Sequence, residues 1–127
     1  MTDRELEPAT FRITRADLAA YAEASGDHNP IHRDDDTARA AGLPGVVAHG
    51  MYTLALAARY VDERTGTPGR IASIGAKFVR PVVVPPDGTE VTFAGRLEAR
   101  DDGDRLLVDA TCDGVRVLGA CQVRLRA

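Results

Sequence analysis

The last quarter of the chain alternates. Leu106, Val108, Ala110 and Cys112 are apolar at every second position, and Val115, Val117, Gly119, Cys121, Val123 and Leu125 resume the rhythm after Asp113-Gly114. Asp109, Thr111, Arg116, Gln122, Arg124 and Arg126 take the other phase. A period of two sorts residues onto opposite faces of a strand, so this is a half-buried antiparallel hairpin. Asp-Gly is a two-residue hairpin turn, which pairs Cys112 with Val115 and Leu106 with Cys121. Upstream, Ile71–Val84 reads as a long strand run, with Pro81 marking a bend or an edge. Thr89–Ala99 is the next strand, between a Pro85-Pro86-Asp87-Gly88 turn and an Asp101-Asp102-Gly103-Asp104 turn.

The first half keeps a different period. Thr10-Phe11-Arg12-Ile13 is a short strand, and Thr14 offers a helix N-cap. Leu18, Tyr21 and Ala22 then give an apolar stripe at helical spacing as far as Ala24. A short helix starts near Asp34–Asp36, where the three carboxylates suit a helix N-terminus as a solvated run, and stops at Gly42. From His49 to Arg64, Met51, Leu54, Ala55, Leu56, Ala57, Ala58 and Val61 leave little polar surface. That segment is expected to be a helix buried on all sides, ending at Gly66. One such helix beside a one-sided antiparallel sheet is an α+β arrangement, with the sheet curled over the helix.

Composition narrows the class without changing this picture. The 127 residues fit one domain spanning 1–127, with no linker, repeat or low-complexity segment. A net charge of −3 and the lack of a basic tract interleaved with aromatics argue against nucleic acid. Met1-Thr2-Asp3-Arg4-Glu5 is not a secretory signal, and Gly50–Val61, interrupted by Arg59, is too short to span a bilayer. A cytoplasmic protein with no membrane contact is expected. In the hairpin register Cys112 and Cys121 lie several residues apart, at about 3.3 Å per residue, too far for a disulfide.

The chemistry concentrates in Ser25-Gly26-Asp27-His28-Asn29-Pro30-Ile31-His32. Asp27 and His32 are two proton-transfer groups five residues apart on a segment that cannot be regular helix. Pro30 removes a donor and pushes Asn29 out of the helical region, while Gly26 permits an unusual backbone angle. A stiff, bent loop holding an acid and a base suits the joint movement of a proton and a water. The competing uses are structural: Asp27 capping its own loop, His32 hydrogen-bonded for packing, and Asn29 starting a helix before Pro30. Asn29 could equally orient Asp27 or a water. His28 and His32 at i, i+4 beside Asp27 resemble a metal pair, but Pro30 disfavours the helix that spacing needs and no third ligand is evident, so no metal is expected. His28 should be exposed.

Tyr21, Ser25, Gly26, Asp27, Asn29, Pro30, Ile31, His32 and Ala38 fall in the order of the hydratase-2 motif, and Ala48-His49-Gly50-Met51 follows as a second landmark. Over nearly its whole length the chain resembles the MaoC-like (R)-specific enoyl-thioester hydratases and dehydratases. Within them it looks most like the single-domain actinobacterial hydroxyacyl-carrier-protein dehydratase subunits. The resemblance implies a hot-dog fold and a catalytic pair of Asp27 and His32. It also implies reversible syn hydration of trans-2-enoyl thioesters to (3R)-3-hydroxyacyl thioesters carried by coenzyme A or acyl carrier protein. No bound cofactor is needed, because the thioester itself acidifies the α-carbon.

In that setting the Gly50 backbone N–H, at the positive end of a helix, would stabilise an enolate oxygen; close packing alone would also favour Gly there. Asn29 is the orienting candidate. Tyr21, Ile31, His49, Met51 and Tyr52 are pocket candidates, with the tyrosines equally suited to the core and His49 suited to a structural place at the helix entrance. The rival enzyme is a hot-dog thioesterase, which usually carries a carboxylate or Gln on or beside the central helix; here no acidic residue occurs from Leu43 to Val61. The rival outside catalysis is an acyl-binding or partner subunit, disfavoured because both members of the pair are present. A homodimer is expected, or a heterodimer with a second hot-dog chain.

Overall fold

The computed structural model describes residues 2–126. Strand β1 (Arg4–Ile13) is followed by helix α1 (Arg15–Ser25), a 3-10 turn (Pro30–His32), helix α2 (Asp35–Ala40) and helix α3 (Gly50–Thr65). Strands β2 (Ile71–Phe78), β3 (Thr89–Glu98), β4 (Arg105–Cys112) and β5 (Val115–Leu125) complete the chain. The strands form one sheet in the order β1-β3-β4-β5-β2, antiparallel at every step. Helix α3 packs against β1, β2 and β4, so the α+β expectation holds.

Local chemistry explains where the elements start. Thr14 caps α1 in a reciprocal pair: its hydroxyl accepts the Asp17 N–H at 3.2 Å and its own N–H donates to the Asp17 carboxylate at 2.8 Å. Strand β1 begins at Arg4, six residues before the expected Thr10. Its outer half carries Arg4, Glu5 and Glu7 toward solvent, and its register shifts between Leu6 and Ala9, so no clean alternation marks it in the sequence. Such an edge strand is held by backbone pairing with β3 more than by apolar pattern. The Ile71–Val84 run is a strand only as far as Phe78. Around Pro81 the chain leaves the sheet, and Val83 forms an isolated bridge with Val47.

Two expectations about faces are corrected. Helix α3 buries Thr53, Leu56, Ala57, Tyr60 and Val61, but Met51 is 57% exposed and Ala55 is exposed. One sheet covers one side of a helix, and the opposite apolar side stays open. In the hairpin, Asp113 and Gly114 adopt positive φ angles of 51° and 75° and pair Cys112 with Val115 as expected. Register then shifts between Val108 and Thr111, so Leu106 faces Val123, and Cys121 faces Val108. Val117 and Leu118 are consequently both buried, whereas Val115 is 49% exposed. The helix side of the core is anchored by Leu56, Tyr60 and Val61, each contributing roughly 1.5–3 kcal/mol by burial. Gly95 makes room for the Tyr60 ring: a Cβ there would lie 3.3 Å from it and 3.2 Å from the Leu107 carbonyl. The Tyr60 hydroxyl donates to the Glu7 carbonyl at 2.8 Å, which satisfies its polar end.

Both cysteines are free and buried. Cys112 sits four residues beyond Val108, the register partner of Cys121, about 13 Å along the strand at the usual rise. Burial pushes the Cys121 thiol up to about 11, with Asp109 adding to the shift. Native protein at pH 8 should therefore leave Cys121 unreactive to a thiol reagent, and denatured, non-reduced protein should titrate two thiols per chain. A titre of zero after denaturation would show a disulfide and a different hairpin register.

Candidate active site

The site loop is made rigid by hydrogen bonds over very short range. Gly26 ends α1 in the left-handed region, φ 78°, and donates its N–H to the Ala22 carbonyl at 2.9 Å. Three side chains then each accept the N–H two residues ahead, all at 3.2 Å: Ser25 Oγ from Asp27, Asp27 Oδ1 from Asn29, and Asn29 Oδ1 from Ile31. Pro30 opens the 3-10 turn that carries His32. The Asn29 backbone N–H thus donates to the Asp27 carboxylate, while its amide oxygen, the group expected to orient Asp27 or a water, caps the turn. His28 is exposed as expected, with Nε2 4.0 Å from Glu23.

His32 is held from the other side. Its Nδ1 lies 2.7 Å from the Val47 carbonyl, and Val47 N–H donates to the Ile31 carbonyl at 3.1 Å. A carbonyl partner requires Nδ1 to carry the proton, which leaves the Nε2 lone pair free. That Nε2 lies 3.9 Å from Asp27 Oδ2, with 12% of the His32 side chain and 51% of the Asp27 side chain exposed. The gap is too long for a direct hydrogen bond but fits one water donating to both.

His49, at the entrance to α3, completes the cluster. It is buried, its ring stacks on His32 with centroids 3.8 Å apart, and its Nε2 donates to the Asp27 carbonyl at 3.1 Å. Tyr21 meets the His49 ring edge-on at 4.8 Å and Tyr52 at 5.3 Å. Burial lowers the His49 pKa and is the largest influence on it. Asp27, His32 and His49 supply the three ligand-type atoms that a metal site needs, all within 4.8 Å of one another, so a third candidate is present after all. They do not fit a metal ion. The two imidazoles are within 22° of parallel, so their in-plane lone pairs run side by side, and one nitrogen of each ring is already engaged.

Two clefts of about 340 Å³ each open around the pair and share Gly50 and Phe78. One is apolar, walled by Ile31, Leu43, Val47, Val82, Val117 and Leu118, with His32 and Thr53 at its side. The other is lined by Tyr21, Ser25, Asp27, His49 and Met51. Gly50 is the first residue of α3, where backbone N–H groups have no partner within the helix. A Cβ at Gly50 would lie 3.1 Å from the Phe78 ring. Tyr52 lines neither cleft and packs instead on Tyr21 and the core.

Residues 1–113 match the family described as the MaoC like domain. The chain belongs to the MaoC-like domain family. It is 37% identical over 95 residues to 3-hydroxyacyl-thioester dehydratase X of Mycobacterium tuberculosis, covering 75% of this chain but 31% of that protein. A solved MaoC-like dehydratase superposes with a TM-score of 0.94 at 32% identity, covering 99% of this chain and 40% of that one. An (R)-hydratase from A. caviae involved in PHA biosynthesis superposes at 0.86 over 99% of this chain and 96% of its own, with 23% identity, a likeness of fold. The MaoC-like sheet and central helix are therefore a hot-dog fold.

The sequence reading missed Phe78, Val79, Arg80 and Val82, which bring the irregular segment after β2 to the MaoC-like cleft. Phe78 is 54% exposed at the end of a strand, and an apolar pair directly before Arg80-Pro81 was the available signal. Gly50→Ala should fold normally, since the atoms it meets are the outer end of an exposed ring. It should displace Phe78 by a few tenths of an ångström and narrow the shared point of the two clefts, lowering turnover in the reaction proposed for this site about 10-fold. Steady-state kinetics with a thermal melt checks this, and unchanged turnover would remove Gly50 from the site.

Proposed function

We propose that this chain catalyses the reversible syn hydration and dehydration between trans-2-enoyl and (3R)-3-hydroxyacyl thioesters. The observation that carries the reading is the Asp27/His32 pair, 3.9 Å apart and distributed over two clefts that share Gly50. A thioester has two arms diverging from its carbonyl, and two clefts meeting at a helix N-terminus suit that shape. With the carbonyl oxygen at the Gly50 N–H, negative charge developing on it in the transition state is stabilised by the donor and the helix dipole.

In the hydration direction a water held between Asp27 and His32 adds to C3, and the π electrons of the double bond move toward the carbonyl. One member of the pair takes the proton from the water, and a proton is delivered to C2 on the same face. Dehydration reverses each step: the C2 proton leaves, the C3–O bond breaks, and the departing hydroxyl is protonated to water. Both groups come from one loop, which supports a syn course. The thioester carrier is coenzyme A or acyl carrier protein, and the reaction belongs to fatty-acid or polyketide-type metabolism. This reading also rests on the similarity to the dehydratase of M. tuberculosis, of whose length this chain spans less than a third.

Asp27→Asn and His32→Ala should each lower turnover of crotonyl or longer enoyl thioesters by about 10² to 10⁴, with the fold retained. Product chirality and free-thiol release read out the alternative. Release of free thiol by the wild-type chain would make it a thioesterase, and near-wild-type hydration in either folded variant would remove the pair.

The chain is inferred to work as a dimer, with itself or with a second hot-dog chain. Strand β2 ends the sheet with one edge unpaired, and Met51, Phe78 and Val79 beside it are exposed apolar residues at the clefts. An open edge flanked by apolar side chains invites pairing. Light scattering should give twice the chain mass, and dilution below dissociation should reduce activity. A fully active monomer would overturn the inference, and a monomer activated only by a second hot-dog chain would make it a heterodimer.

A further inference from the structure

We propose that His49 is a positioning residue that holds Asp27 and His32 in working geometry, through one hydrogen bond to the Asp27 backbone and one ring face against His32. The inference rests on the catalytic reading of that pair and adds a residue that reading does not use. His49 reaches both members at once: Nε2 to the Asp27 carbonyl at 3.1 Å, and ring centroid to the His32 centroid at 3.8 Å. It is 2% exposed, and Tyr21 closes its edge. A buried residue needed only to fill space would be served by an apolar side chain. This one carries a ring nitrogen, Nδ1, that has no hydrogen-bond partner among the described residues. Retaining an unpartnered buried nitrogen is costly, and such a cost points to a use for the rest of the ring.

The tautomer follows from the partners. A carbonyl oxygen faces Nε2, so Nε2 must carry the proton; the other tautomer would set two lone pairs against each other. Protonating Nδ1 as well would create a buried cation with no acceptor, stacked on His32. His49 therefore stays neutral, and its flat, uncharged face fixes the plane of the His32 ring without competing for the Nε2 lone pair. The two contacts act at different points. The hydrogen bond fixes the backbone of Asp27, whose other hydrogen bonds are to its near neighbours Ser25 and Asn29. The stack limits rotation of His32 about its bond to Val47.

Three substitutions separate these parts. His49→Gln keeps a donor for the Asp27 carbonyl and loses the stack, His49→Phe keeps a stacking face and loses the donor, and His49→Ala loses both. Thermal melts confirm which variants fold, and the Gln and Phe variants decide the matter where His49→Ala does not. Turnover should fall about 10-fold in the Gln and Phe variants and about 100-fold in the Ala variant, with KM for crotonyl-CoA within about 2-fold of wild type. Nuclear magnetic resonance spectra of the His32 ring give a readout independent of activity: sharp ring signals in wild type and in the Phe variant, and signals broadened by ring rotation in the Gln and Ala variants. Folded Gln and Phe variants with wild-type turnover and an unchanged His32 spectrum would overturn the proposal. A raised KM at unchanged turnover would also overturn it, because His49 would then be pocket wall. Broadened His32 ring signals in the Gln and Ala variants of a chain whose wild type lacks hydratase activity would uphold the positioning role and overturn only the catalytic reading.

Discussion

The architecture depends on satisfying the backbone of one short buried segment, Val46–His49. These four residues are withdrawn from water, yet they belong to no regular strand, so each polar group must find a specific partner elsewhere. Val46 N–H donates to Asp35 Oδ1 at 3.0 Å, and its carbonyl accepts from Val84 at 2.8 Å. Val47 exchanges with Ile31 and the His32 ring, and Ala48 N–H donates to the Val82 carbonyl at 2.9 Å. Together these bonds attach three parts of the chain: α2, the site loop, and the segment beyond β2. The helix that follows starts at Gly50, which lines both clefts. The site is assembled by the demand for buried hydrogen bonds as much as by apolar packing.

Asp35 shows how far this reaches. It stands in a run of three carboxylates that reads as a solvated helix start, and Asp34 does cap α2 through Thr37. Asp35 instead turns inward, binding the Arg15 guanidinium through both oxygens at 2.9 and 3.0 Å while accepting from Val46. The Val46 N–H is the largest influence lowering its pKa, and Arg15 lowers it further. Arg15 in turn donates to the Val84 carbonyl at 2.9 Å. One carboxylate and one guanidinium thereby tie α1 and α2 to Val46 and Val84, which are bonded to each other.

What the sequence made legible divides along the same line. Interactions encoded within a few residues could be read directly: the Thr14 cap, the Asp113-Gly114 turn, the helix at Gly50, and the bent loop from Gly26 to His32. Asp27 and His32 were readable because Pro30 and Gly26 constrain the chain between them locally. Contacts made by residues distant in sequence could not be read. The Leu106–Val123 pairing depends on a register shift that alternation does not announce, and Asp35 was indistinguishable from its neighbours until Arg15 was placed beside it. Phe78 was invisible as a site residue because its role depends on where the chain leaves the sheet. His49 lay in a recognisable landmark, but its stack on His32 joins positions 17 apart through the Val47 anchor.

The same division bears on how the site holds its shape. Asp27 is half exposed, so packing alone would leave it free to move. Its stiffness comes from the relay of Ser25, Asp27 and Asn29 oxygens, each constraining the backbone two residues on, and from the left-handed turn at Gly26. His32 takes its orientation from the buried Val47 carbonyl instead. Asp27 is held by local bonds and by the buried His49 ring, and His32 by the buried Val47 carbonyl. The distance between them is therefore set by how the loop sits on Val46–His49. A substitution that weakens that seating, even with both side chains intact, should separate the pair, because nothing in the loop itself measures the 3.9 Å between carboxylate and imidazole.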